Sequence, residues 1–193
     1  MHIVQYPHPT LRHKSKPLKR LDAELRRIVQ QMLELMYEAK GIGLAANQVD
    51  LPYRLFVINL SSDPAEKDQE LVFINPVVSN KKGMEEAEEG CLSLPSLFAP
   101  VNRPQKAVVS AFDLSGNPVR YELNGMLSRA VQHETDHLDG VLFTDRLSVT
   151  HQAAVRESLE EFEVEFRQKR DQGQIPDDET IAARLAEMES SRC

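Results

Sequence analysis

The sequence predicts an α+β fold: antiparallel strands packed around a central helix that carries an H-E-x-x-H motif, with an additional C-terminal helical extension. Three observations predict it. Helical spacing governs two separated stretches, near 25–36 and near 126–137. Between them stand runs of strand-forming residues at 54–60, 71–74, 105–112 and 118–123. These strands are grouped between the helices, and two of them form a hairpin, which fits α+β better than an alternating strand–helix pattern.

The elements follow in order. Pro7, Pro9 and Pro17 make residues 1–20 an extended segment wrapped on the domain. Asp22 is a good N-cap for a helix over 23–40, with Leu25, Ile28, Val29, Met32, Leu33 and Met36 on its buried face and Gly41 as its stop. Gly41-Ile42-Gly43-Leu44-Ala45-Ala46-Asn47-Gln48 reads as a glycine turn before a strand; it lacks the Lys-Ser/Thr of a phosphate loop. Asn75-Pro76 ends the second strand, and Lys81-Lys82-Gly83 is a turn. The glutamates of 85–89 read as a solvated face, and Pro95 and Pro100 exclude a long regular element beyond them. Ser115-Gly116-Asn117 joins the hairpin strands. Asn124-Gly125 opens the central helix, which stops at Gly140. In the tail, Thr150 caps a helix with the apolar stripe Val155, Leu159, Phe162 and Phe166. Gly173 and Pro176 break it, and Ile181, Leu185 and Met188 mark a short further helix. These stripes are expected to pack on the domain or on a second copy, giving a homodimer through the C-terminal helix.

Composition bounds the partners. A chain of 193 residues is long enough for a real core, here in one domain over 1–150 with an acidic appendage over 151–193. The net charge of −7 argues against stable nucleic-acid binding. The tail holds 11 acidic and 6 basic residues, net −5, which leaves −2 for the rest. No apolar run is long enough to cross a bilayer, so no membrane role is expected. The N-terminus has neither the basic start and apolar run of a secretory signal nor the Arg/Ser richness of a transit peptide. The two cysteines are Cys91 and Cys193. Cys193 ends the chain and is expected to be mobile, so no disulfide is expected and the compartment reads as reducing.

The chemistry concentrates in His133-Glu134-Thr135-Asp136-His137. On a helix the two histidines stand one turn apart and can hold one metal ion, with Glu134 beside it to move protons. Met126, Ala130, His133 and His137, spaced by four, three and four, share that face. Asp136 projects elsewhere and is expected in an ion pair or hydrogen bond.

Three stretches then stand in order: GIGLAANQ at 41–48, EGCLS at 89–93 and HETDH at 133–137. The set resembles the peptide deformylase family, whose pattern is G-x-G-L-A-A-x-Q, E-G-C-x-S and H-E-x-D-H. The likeness extends through Tyr6-Pro7-His8-Pro9-Thr10-Leu11-Arg12, Ile74-Asn75-Pro76 and the residues after His137, and covers 1–148. The resemblance implies that Cys91, His133 and His137 are ligands of a divalent ion with an open fourth position. It implies Fe(II) as the native metal, with Zn(II), Ni(II) or Co(II) able to occupy the site. Glu134 would be the acid/base. The Gln48 side chain and the Leu92 backbone N–H would stabilise the oxyanion. Ile42, Gly43 and Gly90 would present backbone to the substrate as an added strand, and Met126 and Ala130 would line a pocket for a methionine side chain. Glu89 would support the ligands from behind, with Arg103 as its partner. The implied reaction removes the formyl group from the N-terminal formylmethionine of newly made polypeptides and releases formate. The setting would be a bacterial cytoplasm, with a transient ribosome contact. Two features depart from the family: apolar Leu97-Phe98-Ala99-Pro100 follows the cysteine motif where a basic residue is common, and the tail is acidic where some members carry a basic helix that docks on the ribosome.

Two other readings remain open on the residues alone. A zincin-type endopeptidase would take its third ligand from Glu157, Glu160 or Glu161, since Phe143 occupies the position of the usual third histidine. A structural metal site would add His2, His8, His13, His151 or Cys193 to Cys91, His133 and His137, and would need neither Glu134 nor Gln48.

Overall fold

The computed structural model describes all 193 residues, Met1–Cys193. Helix α1, Ala23–Glu38, starts where Asp22 accepts a hydrogen bond from the Leu25 N–H at 2.9 Å. It buries Leu25, Val29, Met32, Leu33 and Met36. Its stop falls one residue earlier than the sequence indicates. Lys40, not Gly41, takes the positive φ, and the Gly41 N–H closes the helix by bonding Met36 O at 2.9 Å.

Seven strands form two sheets. Strands β1 (Gly43–Ala45), β2 (Leu55–Ile58), β3 (Leu71–Lys82), β6 (Lys106–Phe112) and β7 (Pro118–Asn124) make one antiparallel sheet in the order β1-β2-β3-β6-β7. Strands β4 (Glu85–Cys91) and β5 (Leu94–Arg103) make a separate antiparallel ribbon. The central helix α2, Gly125–Leu138, follows β7 directly. The tail forms α3, Val149–Asp171, and α4, Asp178–Arg192.

Strand β2 shows how the layers assemble. Its side chains alternate between faces, and both faces are covered. Leu55 and Val57 pack with the buried face of α1, while Phe56 and Ile58 pack with Ala130, Val131 and Leu138 of α2. The sheet is therefore held between the two helices, and α2 is seated by its apolar residues with its histidines free to face elsewhere. A third cluster joins Val4 and Leu11 of the N-terminal segment, Leu94, Leu97, Ala99 and Val101 of β5, and Val155 of α3. The α3 stripe thus packs on its own chain.

Several expectations are corrected. Strand β3 continues through Asn75-Pro76 to Lys82. The ladder to β6 slips between Ile74 and Val77, Asn75 takes φ +52°, and its side chain bonds both Leu18 N and Leu18 O at 2.8 Å, so the proline falls in a bulge. Pro95 and Pro100 do not prevent a ten-residue β5. That strand pairs only with β4, so its outer edge needs no N–H donors, and Pro95 lies in the irregular stretch between Leu94 and Phe98. Residues 46–49, read as part of a glycine turn, form a single 3-10 turn after β1. Ser148, not Thr150, caps α3. Cys193, expected to hang free at the chain end, is half-buried and packed against the α1 core cluster. It is unpaired with Cys91, as expected.

Helix α4 docks on the N-terminal segment through Glu189, whose carboxylate lies 2.7 Å from both His13 Nε2 and Lys16 Nζ. Burial alone would raise the Glu189 pKa, but the hydrogen bonds from Lys16 and His13 outweigh it and hold it below its ordinary 4.5. A carboxylate with a depressed folded pKa stabilises above the unfolded value and loses that contribution as the pH falls through the folded one. The melting temperature of wild type should therefore exceed that of Glu189→Gln at neutral pH, and the difference should close on acidification below 4.5. A difference that stays constant down to strongly acid pH would show that Glu189 does not act through its charge.

Candidate metal centre

Helical spacing places His133 and His137 on one side of α2, and β4 ends at Cys91 opposite them. The Cys91 sulfur lies 3.2 Å from His137 Nε2, and the ligand atoms of Cys91, His133 and His137 all fall within 4.8 Å of one another. No other group of three or more His, Cys, Asp or Glu side chains converges in this way. The histidines and the tail cysteine that a structural site would add are elsewhere, and Glu157, Glu160 and Glu161 stand exposed on α3.

The donor set fits a divalent cation of intermediate softness, one thiolate and two imidazoles. The protein prepares each imidazole. His133 turns Nδ1 to Glu89 Oε2 at 3.0 Å, which leaves Nε2 for the cluster. Burial, followed by the charges of His133 and Arg103, pushes the His137 pKa well down, so this imidazole is neutral with its lone pair available. Burial also opposes a charged His133. Its hydrogen bonds to the Cys91 sulfur and to Glu89 outweigh that and raise it to about 10.

Glu89 is the acceptor at the centre of this arrangement. Arg103 donates to it through Nε at 2.6 Å and Nη2 at 2.9 Å, and Arg129 Nη1 donates at 2.6 Å. Burial would raise the Glu89 pKa, but its hydrogen bonds from His133 and Arg103 bring it to about 2. The expected Glu89–Arg103 pair is present. Asp136 makes the expected ion pairs, with Arg103 Nη1 and Arg146 Nη2, each at 2.7 Å.

A cavity of about 570 Å³ opens beside the cluster. Of the residues to which the resemblance gives a catalytic, substrate or metal role, all but His137 line it: Ile42, Gly43, Gln48, Gly90, Cys91, Leu92, Met126, Ala130, His133 and Glu134. His137 lies behind the wall, 1% exposed. Glu134 Oε2 is buried with no hydrogen-bond partner. Burial raises its carboxyl to about 7, against the pull of His133 and Arg103. Gln48 accepts from the Ala45 N–H through Oε1 at 2.9 Å, which turns its Nε2 to Cys91 Sγ and Ser93 Oγ, both at 3.3 Å. Two glycines are required by close approach: a Cβ on Gly43 would lie 2.5 Å from Glu134 Oε1, and one on Gly90 would lie 2.4 Å from the Phe98 ring.

Sequence reasoning missed two participants. Arg129 lines the cavity and is 7% exposed, held by Glu89, by Val101 O at 2.9 Å and by Glu85 O at 2.7 Å. It precedes His133 by four residues on the same helix, so the spacing that found Met126 and Ala130 could have found it. Ser93, fully buried, accepts from Gln48.

An α+β fold with a Cys-His-His cluster and a partnerless buried glutamate on an H-E-x-x-H helix defines a metal-dependent hydrolase. The comparisons with known proteins are specific. The polypeptide deformylase family model matches residues 1–153. A peptide deformylase of Rhodopirellula baltica is 45% identical over 188 residues, covering 97% of this chain and 93% of that one. The crystal structure of the Plasmodium falciparum peptide deformylase superposes with TM-score 0.84 at 37% identity, over 86% of this chain and 97% of that one. Arabidopsis thaliana peptide deformylase 1B in complex with an inhibitor gives 0.83 at 38% identity, over 92% and 97%. The chain belongs to the peptide deformylase family. It is an enzyme that uses a divalent metal to remove the formyl group from the N-terminus of nascent polypeptides. No helix is long and apolar enough to cross a membrane.

The Glu89 cluster yields two linked outcomes. Glu89→Ala should weaken metal binding about 10- to 100-fold in competition with a chelator, because His133 loses its orienting acceptor. It should also destabilise the fold by about 3–5 kcal/mol in denaturant titration, because Arg103 and Arg129 lose their shared counter-charge. Metal affinity equal to wild type would show that Glu89 serves the fold alone.

Proposed function

We propose that Cys91, His133 and His137 hold the metal, that Fe(II) is its native identity, and that Glu134, Gln48 and Leu92 carry the reaction. The single observation behind this reading is Glu134: a buried carboxylate with a free oxygen, beside the three ligand side chains and open to the cavity. A divalent cation supplies Lewis acidity, which acidifies water and polarises a carbonyl. Glu134 takes the proton from the attacking water and returns it to the amine that leaves. Its raised pKa of about 7 fits both halves of that exchange. Gln48 Nε2 and the Leu92 N–H, on either side of Cys91, donate to the oxyanion that develops on the formyl oxygen.

The substrate backbone has two edges to bind. β1 is the outermost strand of its sheet and β4 pairs only with β5, so Gly43 on one side and Gly90 on the other lie at the cavity on open strand edges, with Ile42 beside Gly43 and its carbonyl already accepting from the Asn59 N–H at 3.0 Å. Met126 and Ala130 supply apolar surface for the first side chain. Phe98, 60% exposed over Gly90, adds an apolar contact beyond it.

In this reading residues 1–150 form the catalytic domain and 151–193 an acidic extension, in a bacterial cytoplasm with a transient ribosome contact. Both fit the bacterial origin of the Rhodopirellula baltica relative. Because Val155 and Phe166 of the α3 stripe are buried in this chain, a homodimer through α3 would have to use its exposed residues Val149 and Val164.

The test is formate release from formyl-Met-Ala-Ser by protein loaded with Fe(II) without oxygen, beside Glu134→Ala of equal metal content. The variant should lose about 10²- to 10⁴-fold in kcat. No release from fully metallated wild type would sink the reading. The metal is tested separately: protein purified without oxygen should contain iron near one equivalent, and exposure to peroxide should inactivate it through the Cys91 thiolate and its metal. Stoichiometric zinc in that preparation would overturn the assignment of Fe(II).

A further inference from the structure

The C-terminal extension meets the chain on the far side of the turn that carries Gln48. That turn, Ala46–Val49, is short, and α4 reaches it twice: directly at Asp50, which follows it, and through His13 at Asn47, which lies within it. Asp50 caps the turn in the left-handed conformation, φ +65°, with its N–H bonded to Asn47 O at 3.1 Å. Few side chains are at ease there, and Asp50 is fixed by both carboxylate oxygens. Oδ1 accepts from Thr10 Oγ1 at 2.5 Å, and Oδ2 accepts from Arg184 of α4. Within the turn, Asn47 is fully buried. Its Nδ2 donates to His13 O at 2.8 Å, and its Oδ1 accepts from Ser15 Oγ at 3.0 Å. The His13 ring is in turn held at 2.7 Å by Glu189 of α4, which also pairs with Lys16.

Two charged residues of α4 thus reach the turn: Arg184 directly at Asp50, two residues after Gln48, and Glu189 through His13, whose backbone oxygen holds Asn47. We propose that Arg184 and Glu189 are positioning residues for the deformylation reaction: they hold the Ala46–Val49 turn so that the Gln48 carboxamide stays aimed beside Cys91. The inference rests on the reading of Gln48 as an oxyanion donor. The geometry around Gln48 leaves little tolerance. Its Oε1 is pinned by Ala45 N–H at 2.9 Å and its backbone oxygen by Val4 N–H at 2.8 Å, so a rotation of the turn moves Nε2 directly. Oxyanion donors act only when held at the right distance before the charge develops, so a loosened turn lowers kcat and leaves substrate binding at β1 and β4 intact.

The test is a mutant cycle on the full-length, metal-loaded enzyme with formyl-Met-Ala-Ser. Arg184→Ala should lower kcat about 5- to 20-fold with KM nearly unchanged, and Arg184→Lys should restore most of it. Gln48→Ala should lower kcat about 10²- to 10³-fold. Added to Gln48→Ala, the Arg184→Ala change should have less than about a twofold further effect, because the group it positions is gone. Glu189→Gln carries the same cycle through Asn47 and serves if Arg184→Ala does not fold. A readout independent of turnover is the Gln48 side-chain NH₂ signal in ¹⁵N-labelled, zinc-loaded protein, identified by its loss in Gln48→Ala. It should shift or broaden in Arg184→Ala. Wild-type kcat in both α4 variants, an unmoved Gln48 signal, or an equal loss with and without Gln48 would overturn the proposal. Wild-type kcat in Gln48→Ala would instead remove the oxyanion assignment itself, and the inference with it.

Discussion

The Glu89 carboxylate joins two parts of the chain that otherwise share little. It sits on β4 of the isolated ribbon, and its donors come from β5 (Arg103) and from α2 (Arg129 and His133). Cys91 lies two residues further along β4, so the same contact that fastens the ribbon to α2 also sets the distance from thiolate to histidines. A buried carboxylate is tolerated only when its desolvation is offset, and here two guanidinium groups and an imidazole N–H do so together. The buried network thus holds Cys91 opposite the two histidines, while Val131 and Leu138 pack α2 on the sheet independently of it.

The second constraint is the N-terminal segment, which runs across the gap between sheet and ribbon. Val4 N–H bonds Gln48 O at 2.8 Å, and Tyr6 N–H bonds Ser93 O at 2.9 Å. One extended strand thus fixes both walls that flank the cysteine. The extension reinforces it from outside, since the Tyr6 hydroxyl donates to Glu163 of α3 at 3.0 Å. The cavity is framed by backbone hydrogen bonds on one side and by the Glu89 network on the other.

What the sequence made legible follows from how locally each feature is encoded. The histidine pair needs only helical spacing within five residues, and α1 needs only an N-cap and an apolar stripe, so both were readable. Three ordered motifs made the set specific. The β4–β5 ribbon was not readable, because its glutamates resemble a solvated face and its prolines break any ladder; only the absence of a second neighbour makes Pro100 harmless. Arg129 was missed because an arginine on a helix is ordinarily exposed, and its acceptors at Glu89, Val101 and Glu85 lie 28 to 44 residues away. The tail stripe was legible, but its target was not, since an apolar face does not name what covers it.

Glu89 and Glu134, which both line the cavity, show how one side-chain type is placed in two opposite environments. Both are nearly inaccessible. Glu89 receives four hydrogen bonds from cationic or imidazole donors and is brought to about 2, so it stays charged and keeps its partners. Glu134 has a carboxylate oxygen with no partner at all and is pushed up to about 7. Burial acts on both in the same direction; the supply of donors separates them. The backbone contributes as well, since Gly43 has no Cβ to crowd the Glu134 carboxylate. A carboxylate saturated with fixed donors cannot exchange a proton without breaking the fold, whereas one left short of donors can. The unsatisfied oxygen of Glu134 is what suits it to the proton transfer proposed above, while Glu89 keeps its charge and its partners.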